Sequence, residues 1–261
     1  MHLIRLLSTF IKVNIQQDLA YRADAIANMI ISVMWLGFDL LSLSIIFSNT
    51  PALGGWGPAE IVALLGVWRL VHTLMFTVIW PNTEKFNSGV RDGSLDYTFL
   101  QPANSQLLIS ISRVVVWRAW DAFLAIAMIV VGISNSGGIT GVLPVIAFLA
   151  LIVSGAAIIY SLWIILISLT FWFTKFDNNV TLMQALMDAG RYPAQVYPPW
   201  LRALITFVIP IAVATTVPMQ ALRGELLWWQ VLGFLAIGAA VVFISSRIWK
   251  AGVRRYSGAS A

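Results

Sequence analysis

The sequence predicts an all-α integral membrane protein, and three observations carry that expectation. Hydrophobic residues make up 59% of the 261 and charged residues only 10%, whereas soluble domains hold about 45–50% and about 25%. Apolar stretches of about 20 residues, long enough to cross a hydrocarbon core about 30 Å thick, recur along the chain. Fourteen of the sixteen Lys and Arg residues fall on one side of the spans that those stretches define, as the positive-inside rule requires.

The same composition excludes other classes. The net charge of +5 is thinly spread, with no basic stripe to follow a nucleic-acid backbone. The 14 Phe, 12 Trp and 6 Tyr are incompatible with disorder. Cysteine is absent, which removes disulfides, thiolate metal sites and cysteine nucleophiles. His2 and His72 are too few for a His-Glu-x-x-His metal site, and neither a Gly-Lys phosphate loop nor a Gly-x-Ser-x-Gly elbow occurs. No catalytic, metal or cofactor residue is therefore assigned to this chain.

Residues 1–22 are read as an interfacial helix and residues 23–261 as the membrane domain. Leu3, Leu7, Ile11, Ile15 and Leu19 recur every four residues beside Leu6 and Phe10, with Arg5, Thr9, Lys12 and Gln16 opposite. That pattern suits a helix lying flat in the headgroup region. Arg5, Lys12 and Asp18 interrupt any signal-peptide core, so the segment is expected to stay on the protein.

Six transmembrane helices follow: Ala25–Phe47, Pro58–Trp80, Val114–Ser134, Val142–Ile165, Leu201–Leu222 and Leu226–Ser246. The connections 48–57 and 135–141 are short and rich in Gly, Pro, Ser and Asn, as turns are. Residues 81–113 and 175–200 are longer and charged. Placing the N-terminus inside leaves only Arg223 outside and Arg69 within a span, so both termini are expected to be cytoplasmic. Trp56, Trp228 and Trp229 then mark the outer boundary, and Trp80, Trp117, Trp120, Trp172, Trp200 and Trp249 the inner one. Trp35, Trp68 and Trp163 lie mid-span, where packing between helices explains them.

Ionisable groups at membrane depth cost at least about 2.5–3.5 kcal/mol and normally find a partner. Asp39 and Arg69 sit eight and eleven residues from the outer ends of their spans, a depth difference of about 4.5 Å, so they are expected to pair. His72 lies one turn further in on the face of Arg69. The group either fixes helix register, or forms a polar patch on a substrate path or a proton relay. A relay would make the chain an ion-coupled secondary transporter or channel. Arg118 and Asp121, spaced i, i+3, are read as a local pair.

Two inner segments remain. In the first, residues 82–90 read as a short helix, Asp92-Gly93 as a turn, and Leu95, Phe99 and Leu100 as an apolar patch closed by Gln101-Pro102. The second holds a helix through Val180, Leu182, Met183, Leu186 and Met187, stopped by the proline clusters at 193 and 198–199. In the fifth span Pro210 and Pro218 break a run that, from Ala203 to Val217, is too short for the bilayer. Either the proline merely kinks the helix, or residues 219–225 fold back as an irregular outer element.

Four motifs with the six-span plan carry a resemblance. They are Gly93 to Pro102; Arg191 to Pro193 with Tyr197 to Arg202; Pro210 followed by Pro218 to Gly224; and Trp249 to Ser257. On these the chain resembles the ABC-2-type transporter permeases, the membrane subunits of ATP-binding-cassette exporters, in a bacterial subset. The resemblance implies an elbow helix at residues 3–19, a coupling helix within residues 81–104, and re-entrant outer helices matching 218–225. It implies residence in the bacterial inner membrane and pairing of two permease subunits, identical or homologous. Two separate ATP-binding subunits would carry ATP and Mg, touching this chain through Glu84, Phe86, Arg91, Asp92 and Leu95. Substrate would pass between the permeases, and the apolar walls favour a hydrophobic or lipid-like compound.

Overall fold

The computed structural model describes residues 12–16, 22–101, 104–137, 141–173 and 179–256. Among them the chain is helical, with no strand beyond one isolated bridge between Leu53 and Trp56. Residues 12–16 are helical; the rest of the expected interfacial helix lies outside the described residues.

Helix α1 is Arg22–Asn49, α2 is Pro58–Leu74, and a π-helical turn, Met75–Ile79, joins α2 to α3, Trp80–Asp92. The expected second span and coupling helix are thus one rod, apolar enough to cross a membrane, over Pro58–Val90. Pro81 stands in the first turn of α3, where its missing N–H costs little, so it does not end the rod. Gly93, at φ 74°, closes α3 in the left-handed conformation that glycine adopts freely. Short helices α4, Leu95–Phe99, and α5, Ser105–Ile111, lead to α6, Ala119–Asn135. Then come α7, Val142–Leu169, and α8, Asn179–Asp188.

Helices α2 and α6 run antiparallel with their backbones nearly touching. An added Cβ at Gly132 would lie 2.5 Å from the Ala63 nitrogen, and one at Gly66 would lie 2.8 Å from the Ala125 carbonyl. Small residues allow that approach, which substitutes for the hydrophobic drive that lipid does not supply. Helix α1 stands apart: of its 28 residues only Asp39 and Leu43 are buried.

The fifth expected span, Leu201–Leu222, is not one helix. Pro199–Ala203 continues as the π turn Leu204–Val208, together called α9. The chain then reverses at Ile209 (φ −120°, ψ 82°) and Pro210 (φ −75°, ψ 55°). It returns through α10, Ile211–Ala214, and α11, Thr216–Leu222. Ala194, Ile205 and Ala212 share one apolar cluster, with Leu201 against it, which defines a hairpin. Its tip lies against Gly190, where an added Cβ would stand 2.8 Å from Ile211 Cγ2. Each arm is too short to cross about 30 Å. Pro218 does not break the return arm, because it falls in the first turn of α11, and residues 219–222 are helical rather than irregular. The last helix, α12, is Trp228–Arg255.

Residues 179–198, expected as an inner loop, instead climb beside α2. Met183 and Met187 pack with Met75, Ile79 and Phe86, and the Met187 carbonyl accepts from Trp68 Nε1 at 2.8 Å. Val196 reaches the opposite end of α2, with its Cγ2 3.1 Å from a Cβ built on Gly54. After α8 this climb is irregular backbone, tolerated at membrane depth only when protein encloses it. Here the hairpin closes one side, with Thr216 Oγ1 accepting from the Ala194 N–H at 3.2 Å.

Candidate functional site

The charged residues at mid-depth converge on Asp39. Its Oδ2 is 3.3 Å from Arg69 Nε, as the depth arithmetic predicts. Its other oxygen, Oδ1, accepts from Arg191 Nη2, a partner not foreseen because Arg191 lies among prolines and charges that read as an inner loop. Gly190, the residue before it, lets the hairpin tip approach. Asp39 is 7% exposed, and Arg69 Nη2 also reaches the Ser32 carbonyl at 3.4 Å. Arg191 lies over the Trp68 ring, 5.4 Å from its centroid, a geometry in which a cation is attracted to the ring face.

His72 does not join this ion cluster by a hydrogen bond among the described residues. It is held in a ladder of rings along one face of the α2–α3 rod: Trp68–His72 at 4.7 Å, His72–Phe76 at 4.7 Å and Phe76–Trp80 at 5.3 Å between centroids. Arg118 pairs with Asp121 at 3.1 Å and stacks on Phe76 and Trp117, 4.7 Å from each centroid.

These groups line a cavity of about 350 Å³ between α1, α2 and α6, whose walls include Asp39, Arg69, Arg191, Trp68, Trp35 and Arg118. A second cavity, about 1070 Å³, lies towards the Trp80 end and shares Asn28, Phe76, Trp117 and Arg118 with the first. Trp35, one of the residues lining the first cavity, is exposed. Trp163 packs between helices as expected, buried and donating to Thr83 Oγ1 at 2.7 Å.

Beneath the cavities, α3 to α5 are fastened to the helix bundle. Asn82, fully buried, turns the two hydrogens of Nδ2 on three carbonyls, those of Val78, Ser110 and Arg113 at 2.6, 3.0 and 2.7 Å, one hydrogen being shared between two of them. Its Oδ1 accepts from Ser112 Oγ at 2.7 Å and the Arg113 N–H at 2.9 Å. The chain entering α6 is thereby tied to α3, which sequence periodicity gives no means to foresee. Phe86 and Leu95, both expected to face a partner, are buried. Phe86 packs on Phe171 and Trp249, with Phe99 and Tyr256 completing the ring cluster. Burial first, then the Asp96 and Asp92 carboxylates, push the Tyr256 phenol above its ordinary pKa. Glu84 is exposed and accepts from Trp80 Nε1 at 2.8 Å. Asp92 is exposed, with Oδ1 accepting from the Ser94 N–H at 2.9 Å. The Arg91 side chain lies outside the described residues.

At the other end Arg223 bridges Glu60 at 3.1 Å and Glu225 at 2.8 Å and covers Trp56, 4.4 Å from its centroid. This cluster ties the end of the hairpin to the start of α2. Among the described residues no group of three or more His, Asp or Glu converges as a metal would need.

Five helices are long and apolar enough to span a bilayer, and three of them, α1, α2 and α6, frame the charged cavity, which defines a polytopic membrane protein. A family model described as "ABC-2 family transporter protein" matches residues 33–260, and the chain belongs to that family. A comparison with curated proteins finds no match.

Proposed function

We propose that the chain is the permease subunit of an ATP-driven ABC-2 exporter, forming half of a two-permease pathway in the bacterial inner membrane. Both termini and the 81–104 segment face the cytoplasm, and a separate pair of ATP-binding subunits supplies the energy. The observation that carries this reading is the α3–α5 segment. Its core face, Phe86 and Leu95, is locked into the bundle, while Glu84 and Asp92 stand exposed beneath it. A motor gripping that outer face would move a rod continuous with the cavity wall, since α3 is the extension of α2.

In this reading residues 179–198 make the fifth crossing, and α9 to α11 form a re-entrant hairpin from the outside. The motor contact is Glu84, Asp92 and Arg91, with Phe86 and Leu95 holding the segment in place. A lipid-like substrate suits the apolar flanks. The ion-coupled alternative gains nothing from His72, whose ring neighbours are Trp68 and Phe76.

The test is purification of the tagged chain from its native membrane. An ATP-binding-cassette ATPase should co-purify, and Glu84→Ala with Asp92→Ala should weaken its binding or its coupled hydrolysis. Transport by the chain alone in vesicles without ATP would overturn the reading.

A further inference from the structure

The mid-depth cavity has an unbalanced charge. Among the described residues lining it, Arg118 has its own carboxylate in Asp121, whereas Arg69 and Arg191 share the single carboxylate of Asp39. Three guanidiniums meet two carboxylates, with His72 the other titratable group facing the space. A surplus cation at this depth is expensive unless an anion compensates it. The surplus is also presented to the cavity, because the Arg191 side chain remains 34% exposed while the side chain of Asp39 is only 9% exposed.

A route leads to that cation. The Trp80–Phe76–His72–Trp68 ladder runs along α3 and α2 from the larger cavity to Arg191. The two cavities share Phe76, Trp117 and Arg118, so their linings are continuous. About 350 Å³ holds a small headgroup and its first carbons, at the low end of ligand-pocket volumes. Trp35 in its wall is exposed, on a helix, α1, that buries only Asp39 and Leu43.

We infer that this cavity binds the anionic headgroup of a single-chain amphiphile, a phosphate monoester or carboxylate, which docks on Arg191 and Arg69 while its chain lies along the aromatic ladder. The inference rests on the export reading and names the substrate class for it. Arg191 makes the charge contact through its planar fork of donors, and Asp39 holds both guanidiniums in place.

The test titrates the purified chain in maltoside micelles with dodecyl phosphate, zwitterionic dodecylphosphocholine and inorganic phosphate, following tryptophan fluorescence. Dodecyl phosphate should bind more tightly than either control in the wild-type protein, a comparison that needs no variant. Arg191→Gln should weaken it about tenfold or more, the change expected for one lost charge-assisted contact, and Arg191→Lys, which keeps the charge but not the fork, should weaken it less than Arg191→Gln. Equal binding of the two amphiphiles would overturn the inference. Inorganic phosphate binding as tightly as dodecyl phosphate would also overturn it, assigning a free anion instead. The assay contains no ATPase, so its failure stands apart from failure of the exporter reading, which co-purification decides.

Discussion

Asp39 Oδ2 lies 3.3 Å from Arg69 Nε while Oδ1 holds Arg191, so one carboxylate joins three segments, α1, α2 and the climb after α8. Helix α1 buries little else, and this ion cluster seats it together with Leu43 and the partly buried Leu36, Ile46 and Phe47.

Removing Asp39 would leave two guanidiniums facing each other at membrane depth. Breaking a buried ion pair from one side costs about 3–5 kcal/mol, so Asp39→Ala should lower thermal stability in detergent by that order. Arg69→Ala, which still leaves Asp39 its Arg191 partner, should cost less. A double-mutant cycle on Asp39 and Arg191 should show coupling of about 0.5–3 kcal/mol; strict additivity would refute the pairing.

Asn82 offers two hydrogens to three carbonyls and accepts from two donors without any exposure. Asn82→Ala should destabilise by at least about 2 kcal/mol, since buried groups lose partners. Asn82→Asp should be worse despite its shape, because a carboxylate would face three carbonyl oxygens. Denaturation in detergent ranks the two, and the reverse order would contradict the hydrogen-bond assignment.

Gly132→Ala should loosen the α2–α6 contact, because the new methyl would meet Ala63 backbone at 2.5 Å. Gly233→Ala is the control. It lies in α12 with open space around it, and replacing a helical glycine by alanine stabilises by about 0.5–1 kcal/mol. Thermal shifts of opposite sign are expected, and a stabilised Gly132→Ala protein would contradict the close packing.

The chain is free of cysteine, so single cysteines report topology without background. Val196→Cys should react with a membrane-impermeant maleimide from the same side as Gly55→Cys, and Lys85→Cys from the other. Labelling of Val196→Cys with Lys85→Cys would restore the inner loop that the sequence suggests.

What the sequence revealed follows the physics that each segment obeys. Helices α1, α2, α6, α7 and α12 are each long and apolar enough to cross a membrane, so composition alone marks them. The Asp39–Arg69 pair was legible because helical rise converts residue number into depth. The course of residues 179–198 along α2 was not, since Arg191 and two proline clusters make that stretch too polar to read as anything but an inner segment. Enclosure by the hairpin, a tertiary fact, is what makes that polarity tolerable. Conversely Leu201–Leu222 is largely apolar yet reverses at Pro210, because burial inside protein selects for apolar residues as lipid does. Phe86 and Leu95 looked like docking residues for the same reason: an apolar patch facing a partner and one facing its own core share a pattern.

The most direct measurement is cross-linking at the underside of the rod. Asp92→Cys and, at the opposite end, Gly55→Cys would each be fitted with a short photoreactive probe in native membranes. A cross-link from position 92 alone to an ATP-binding-cassette ATPase is the predicted result. An ATPase captured from position 55, or none from position 92 while transport persists, would contradict the assignment of the α3–α5 segment as the place where the motor is coupled.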